Sequence, residues 1–174
     1  MKRYLIVSLV SMLVLSVLFA LGSASPASAD ESKVLEFNTM SGVPRPYTGG
    51  TNAIRGVPGG GLPWVIEFGK GTLNPDGKLD ILVKGLVFDP SDQAVIDRGI
   101  GGINTVPNFK AIVSCLSKDA NGNPITVNVS TGLFPADEAG NARIKDFVSL
   151  PQPCIAPIIF VTSPGGAWFA STGF

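Results

Sequence analysis

Hydrophobic and polar residues alternate along most of the chain with a period of two, the pattern of strands that bury one face of a sheet. In "KLDILVKGLVF" (78–88), Leu79, Ile81, Val83 and Val87 share one face. "PITVNVS" (124–130) sets Ile125, Val127 and Val129 inward against Thr126, Asn128 and Ser130. "NFKAIVSCLS" (108–117) turns Phe109, Ala111, Val113 and Cys115 toward a core, and "APIIFVTS" (156–163) is a short apolar run rich in β-branched residues. Weaker strands are predicted at 34–39, 52–57, 64–73, 142–150 and 167–171.

Between these runs stand turn residues. "NPDG" (74–77) has Pro second and Gly fourth, as a type I turn prefers, "DANGNP" (119–124) carries an Asn-Gly pair, and "ADEAGN" (136–141) is polar with a glycine. A single helical turn is predicted in "PSDQAVIDRG" (90–99), with Ser91 as cap, Asp92 in the first turn and Gly99 as terminator. "SGVPRPYTGGT" (41–51) reads as an irregular connection. Eight or nine short strands at hairpin spacing, without alternating helices, predict an all-β fold: a two-sheet sandwich or a closed barrel.

The stretch "GVPGGGLPW" (56–64) invites comparison with a phosphate-binding loop. Such loops lead into a helix N-terminus, where free N–H groups and the dipole hold the anion. Here the next residues, "VIEFGKGTL", read as a strand and no Lys-Ser/Thr pair follows. The glycines are expected to serve close backbone approach or positive φ in a connection.

The first residues bear on location. Lys2 and Arg3 precede an uncharged apolar run, 5–21, and Ala27-Ser28-Ala29 fits the small-x-small rule for signal peptidase. The expectation is a signal peptide over 1–29, cleaved after Ala29, with one β-sandwich domain over 30–174 in which residues 30–32 are frayed. An uncleaved anchor is the alternative, since the run is close to the length of a short membrane span. No cysteine follows the run for lipid attachment, and "WFASTGF" at the end carries no apolar or basic tail. Secretion as a monomer is therefore expected.

Charge and composition narrow the chemistry. Without Lys2 and Arg3, eleven basic residues stand against thirteen acidic ones, a net charge of −2, and no Lys/Arg run occurs. Nucleic acid and anionic membrane are poor partners on that ground. The chain has no histidine, which removes Ser-His-Asp and Cys-His catalysis and the usual zinc and copper sites. Its two cysteines, Cys115 and Cys154, are expected to form one buried disulfide in an oxidising compartment, and no metal or cofactor is expected.

What chemistry remains is sparse. Glu67, beside Trp64 and Ile66 in "PWVIEF", is the first carboxylate to consider for a hydrolase, though a solvated surface residue fits it as well. Asp119, Asn121 and Asn123 match the opening of a calcium loop, but Pro124 stands where glycine is needed and Ser130 where the bidentate Glu belongs. Ser117 and Lys118 are adjacent and would face opposite sides of a strand, against a Ser-Lys pair. Asn128 heads an N-x-S sequon. Trp64 and Trp168, with Phe169, Phe174 and Tyr47, are candidate binding aromatics, either as an exposed platform for sugar rings or as core.

"GGGLPWVIEFGKGTL", "PNFKAIVSC", "VNVSTGLFPADEAGNARI" and "LPQPCIAPIIFVTSP" together resemble a group of small secreted bacterial proteins with no assigned function. That resemblance supplies no site residues. "STGLFPADEAGNARIKDFVSL" resembles segments of bacterial immunoglobulin-like sandwich domains, which implies an immunoglobulin-like fold and nothing about activity. The expected function is binding or structural, at or outside the cell surface, with a surface protein or glycan as partner. A carboxylate-dependent hydrolase and a carbohydrate-binding module using Trp64 and Trp168 are the alternatives.

Overall fold

The computed structural model describes residues 33–173. The expected leader, its cleavage site, residues 30–32 and Phe174 lie outside the described residues.

The chain is all-β. In order run β1 (Leu35–Phe37), β2 (Ser41–Gly42), β3 (Trp64–Val65), β4 (Phe68–Leu73), β5 (Lys78–Lys84) and β6 (Val87–Phe88). One helical turn, α1 (Gln93–Ile96), precedes β7 (Asn108–Lys118), β8 (Pro124–Ser130), β9 (Phe134–Pro135), β10 (Ala142–Phe147), β11 (Ile155–Thr162) and β12 (Trp168–Ser171). A four-stranded antiparallel sheet has the order β1-β4-β5-β10. A six-stranded antiparallel sheet has the order β2-β12-β11-β7-β8, with β9 also paired to β7, and β3 and β6 form a separate ribbon. Leu73, Leu79, Ile81, Val83 and Ile144 of the first sheet and Phe109, Val113, Ile159 and Val161 of the second belong to one buried cluster.

Four hairpins share one local solution. Asn74, Asp119, Asp137 and Ser163 each receive the N–H of the residue three positions on, and each donates to the carbonyl four positions on. The donor in the first bond is always a glycine in the left-handed region: Gly77, Gly122, Gly140 and Gly166 have φ between 73° and 92°. At Asp119 and Asp137 the side chain adds a second bond to the N–H of Asn123 or Asn141. The sequence signals at 74–77, 119–124 and 136–141 thus correspond to real turns.

Strand β7 is the longest, and residues 111–115 are buried on both faces in succession. Phe109, Ala111, Val113 and Cys115 do turn inward as the alternation predicts. The opposite face, at Ile112 and Ser114, is buried as well, and the connection ahead of β3 reaches Ser114. From that connection, Arg55 Nη1 donates to the carbonyls of Ser114 (3.0 Å) and Ala156 (2.8 Å). Asn128 Nδ2 returns a bond to the carbonyl of Arg55. The guanidinium sits where β11 loses register with β7 between Ile155 and Ile158, with Ala156 at φ 45°. It therefore supplies donors to carbonyls beside the break in the ladder.

Cys115 and Cys154 form a disulfide with Cα atoms 5.0 Å apart. Cys154 immediately precedes β11, so the bond ties adjacent strands of one sheet. Cys115 is fully buried, as expected, and Cys154 is half-buried.

Several expectations need correction. Residues 52–57 are a tight turn, not a strand: Ile54 and Val57 exchange backbone bonds around Arg55 (φ 50°) and Gly56 (φ 79°). The predicted strands 64–73 and 78–88 each break in two, at Ile66-Glu67 and Gly85-Leu86. Register continues across the break, with Phe68 opposite Lys84 and Val65 opposite Val87. The chain direction changes at Gly85 (φ 62°), so Leu86, and not Val87, becomes fully buried. These splits and the short β2 and β9 raise the strand number from eight or nine to twelve among the described residues. Ile125 is exposed, near the start of β8, an edge strand of the larger sheet. Asp92, not Ser91, caps α1 by accepting from the Ala94 N–H, while the Ser91 hydroxyl donates to Asp89.

Opening the disulfide by the double variant Cys115→Ala/Cys154→Ala should lower the unfolding free energy by about 4 kcal/mol, from the loop of 39 residues it closes. Urea titration measures it, and a loss below about 1 kcal/mol would show that the bond adds little to the folded state. In the turns, Gly122→Ala should cost about 1 kcal/mol, because its Cβ meets no neighbour and only the backbone conformation is penalised. Gly140→Ala should cost clearly more, since its Cβ would run into the backbone of Leu86. Equal losses in thermal melts would contradict that distinction.

Candidate functional site

The β3–β6 ribbon brings aromatic residues together. Trp64 and Phe88 are directly opposite in register, with ring centroids 4.2 Å apart. Phe169, from β12, stacks on Trp64 at 4.0 Å with planes 18° apart, and Phe109 meets both rings edge-on. Such offset and edge-on contacts suit the ring quadrupoles and add to the gain from burying the rings.

The glycine-rich stretch makes this approach possible. Gly60 donates to the Trp168 carbonyl and Trp168 donates to the Pro58 carbonyl, so the segment runs beside β12. A Cβ on Gly60 would press within 3.0–3.2 Å of the Phe169 and Trp64 rings, and one on Gly59 would strike the Tyr47 carbonyl. The stretch is a connection laid against a strand, and no helix N-terminus follows it.

Beside this cluster lies an open cleft of about 490 Å³. Trp64, Phe88 and Phe169 line it together with residues 60–62, Val106, Ser163 and Ala167 of the last hairpin, and Arg98. Arg98 follows α1, whose position is set from two sides. Val95 is fully buried, and Arg45 grips the Asp92 cap with two bonds of 2.7 and 3.0 Å. That bidentate contact holds the Asp92 carboxyl below its usual range and raises the Arg45 guanidinium. Arg98 itself is exposed and forms no ion pair among the described residues. The arrangement can receive a ligand with an apolar ring and an acidic group.

The aromatics named from sequence divide differently from an exposed platform. Trp168 is 0% exposed and Trp64 3%, and Phe169 is also buried. Trp168 packs near Phe160 at 5.9 Å, away from the cleft lining, and Tyr47 is half-buried. Neither tryptophan offers a free ring face of the kind a sugar platform needs. Trp64 reaches the cleft only as part of its lining. Phe88 and Arg98 were missed by sequence reasoning, because nothing in the linear pattern announces that the hairpin bends at Gly85 or that residue 98 lines the same cleft as Phe169.

Glu67 is exposed, at the bend opposite Gly85, and is not among the residues that line the cleft. Ser117 is buried and Lys118 exposed, on opposite sides of β7 as expected. The calcium-like Asp119 is occupied by its own turn. One oxygen accepts from the Asn121 and Asn123 N–H groups, and the other from Asn123 Nδ2. Among the described residues no cluster of three metal-ligating side chains occurs. No described helix is long and apolar enough to cross a membrane.

No protein-family model matches the chain, and neither a curated protein nor a solved structure matches it.

The two Asp-headed turns carry a pH signature. The Asn123 side chain and N–H hold the Asp119 carboxyl below the ordinary aspartate value, and the N–H and side chain of Asn141 do the same for Asp137. A depressed folded pKa means that the stabilisation is complete above the unfolded value of about 3.9 and is lost as pH falls through the folded one. Carboxyl-carbon NMR titration should give both aspartates midpoints below the unfolded value of about 3.9. Midpoints at or above it would refute the turn-bond account.

Proposed function

We propose that the protein is exported and acts without catalysis, as a monomeric binding protein of immunoglobulin-like β-sandwich type at or outside the cell surface. The single observation that carries this reading is the cleft lined by the edges of Trp64, Phe88 and Phe169 and by Arg98, a cation with no carboxylate partner among the described residues. Ligand sites of this size are concave and mostly apolar, with few polar groups that orient the guest. The partner is a surface protein or glycan presenting a ring and an acidic group.

Other features support parts of the reading. The disulfide is compatible with an oxidising compartment, and the basic-apolar-small arrangement of residues 1–29 fits a cleaved leader. Two antiparallel sheets sharing one core are what the immunoglobulin-like assignment requires. The bond between neighbouring strands of one sheet differs from the inter-sheet disulfide of antibody domains. The sequence lacks histidine, and Glu67 is exposed and lines neither the aromatic cleft nor a site with a second carboxylate, which makes a binding role the better reading than a hydrolase.

The test uses a variant that fills the cleft. At Gly61 an added Cβ meets nothing within 4 Å, so Gly61→Phe should leave the thermal midpoint within about 2 °C of wild type. In a screen against glycans, cell-wall material and surface proteins, the ligand bound by wild type should lose at least tenfold affinity for Gly61→Phe. It should lose about fivefold for Arg98→Gln, the worth of one exposed charge contact near 1 kcal/mol. A ligand bound equally well by all three proteins would place the activity elsewhere.

A further inference from the structure

The net charge of the chain conceals a concentration of cations. Of the eleven basic residues that follow the expected leader, five lie on the solvent face of the four-stranded sheet: Lys70, Lys78, Lys84, Arg143 and Lys145. They come from three strands and no two are adjacent in sequence, which is why no basic run is visible. Alternation brings them together, since Leu79, Ile81 and Val83 on β5 and Ala142 and Ile144 on β10 turn inward. The same face holds two acidic side chains, Glu36 and Asp80.

Register orders these charges in rows. Lys70 and Arg143 flank Leu82, about 10 Å apart across two strand spacings. The next row reads Glu36, Thr72, Asp80, Lys145. Lys84 stands opposite Phe68 at one end, and Lys78 opposite Phe147 at the other, where Phe147 is 66% exposed. A shallow groove of about 300 Å³ crosses the two central rows. Glu36 accepts from Lys33 at 2.8 Å through one oxygen, and Asp80 accepts from Arg143 at 2.8 Å and has Lys145 at 3.9 Å, whereas Lys70, Lys78 and Lys84 form no carboxylate pair among the described residues.

We propose that this sheet face docks a linear polysaccharide carrying carboxylates along its length. The excess of cations supplies attraction, and Glu36, Thr72 and Asp80 between them accept hydrogen bonds from sugar hydroxyls. That interleaving decides the class of partner. A DNA backbone brings phosphates but no hydroxyl donors for Glu36, Thr72 and Asp80. A polyuronate carries both the charges and the hydroxyls that the rows can use. The site is separate from the aromatic cleft: no residue lining the groove lines the cleft, so either can fail without the other.

The experiment is titration calorimetry of the full chain with polygalacturonate, neutral dextran and single-stranded oligothymidylate. Polygalacturonate should bind, dextran should not, and the affinity should fall steeply between about 0.05 and about 0.3 M salt as the charges are screened. Lys70→Gln/Lys84→Gln should weaken binding about fivefold, while Lys110→Gln/Lys118→Gln, which removes the same charge elsewhere, should change it less than twofold. All four lysine side chains lie at exposed or half-buried positions, and unchanged thermal melts confirm intact folds. Absence of polygalacturonate binding at low salt, equal losses in both lysine pairs, or tighter binding of the oligothymidylate would each overturn the proposal.

Discussion

The pairing of β11 with β7, closed covalently by Cys115–Cys154, is the contact on which the rest of the structure depends. It forms the middle of the larger sheet, and β12, β8, β9 and β2 attach to it directly or in turn. Its inner face supplies Phe109, Val113, Ile159 and Val161 to the common cluster. A strand buried on both faces must place every N–H and C=O in a ladder or against another donor or acceptor. Where β11 breaks register, Arg55 meets that demand from outside the sheet. The irregular connection that delivers Arg55 is thus part of the architecture, and it also brings Gly59 and Gly60 against Trp168.

Packing and the candidate cleft follow from one another. The rings of Trp64, Phe88, Phe109 and Phe169 bury each other at the point where the β3–β6 ribbon leaves the line of β4 and β5. A bend there opens a recess, and Gly60 keeps it free of side-chain bulk. The same residues therefore hold the fold and shape the cleft. Trp64 is mainly a structural residue whose position makes a surface, and variants at that position would confuse stability with binding. Arg98 and Gly61 are exposed and carry no such ambiguity.

Much of the fold is legible because strands and tight turns are local. Asp119-x-x-Gly122-Asn123 and Asp137-x-x-Gly140-Asn141 specify their hairpins through bonds made within five residues. That same chemistry mimics the start of a calcium loop, and only the bonds from Asn121 and Asn123 to Asp119 show where its oxygens are directed. Apolar alternation over 78–84 and 108–117 identifies the buried faces correctly. It fails at Gly85, where one residue with positive φ redirects the chain, and near the start of β8, an edge strand, where Ile125 is exposed.

The sequence by itself determined the all-β class, the hairpin turns, the inward residues of the central strands and the absence of histidine chemistry. Each of these depends on neighbours within a few positions or on composition alone. Only the tertiary structure decided that Trp64 and Trp168 are buried, that Arg98 lines the same cleft as Phe169, and that five cations from three strands share one face. Those facts depend on which strands pair and in what register, and pairing is set by packing the whole core at once. Period-two alternation tells a residue which side of its strand it occupies, but the identity of the residues across from it is a property of the assembled sheet.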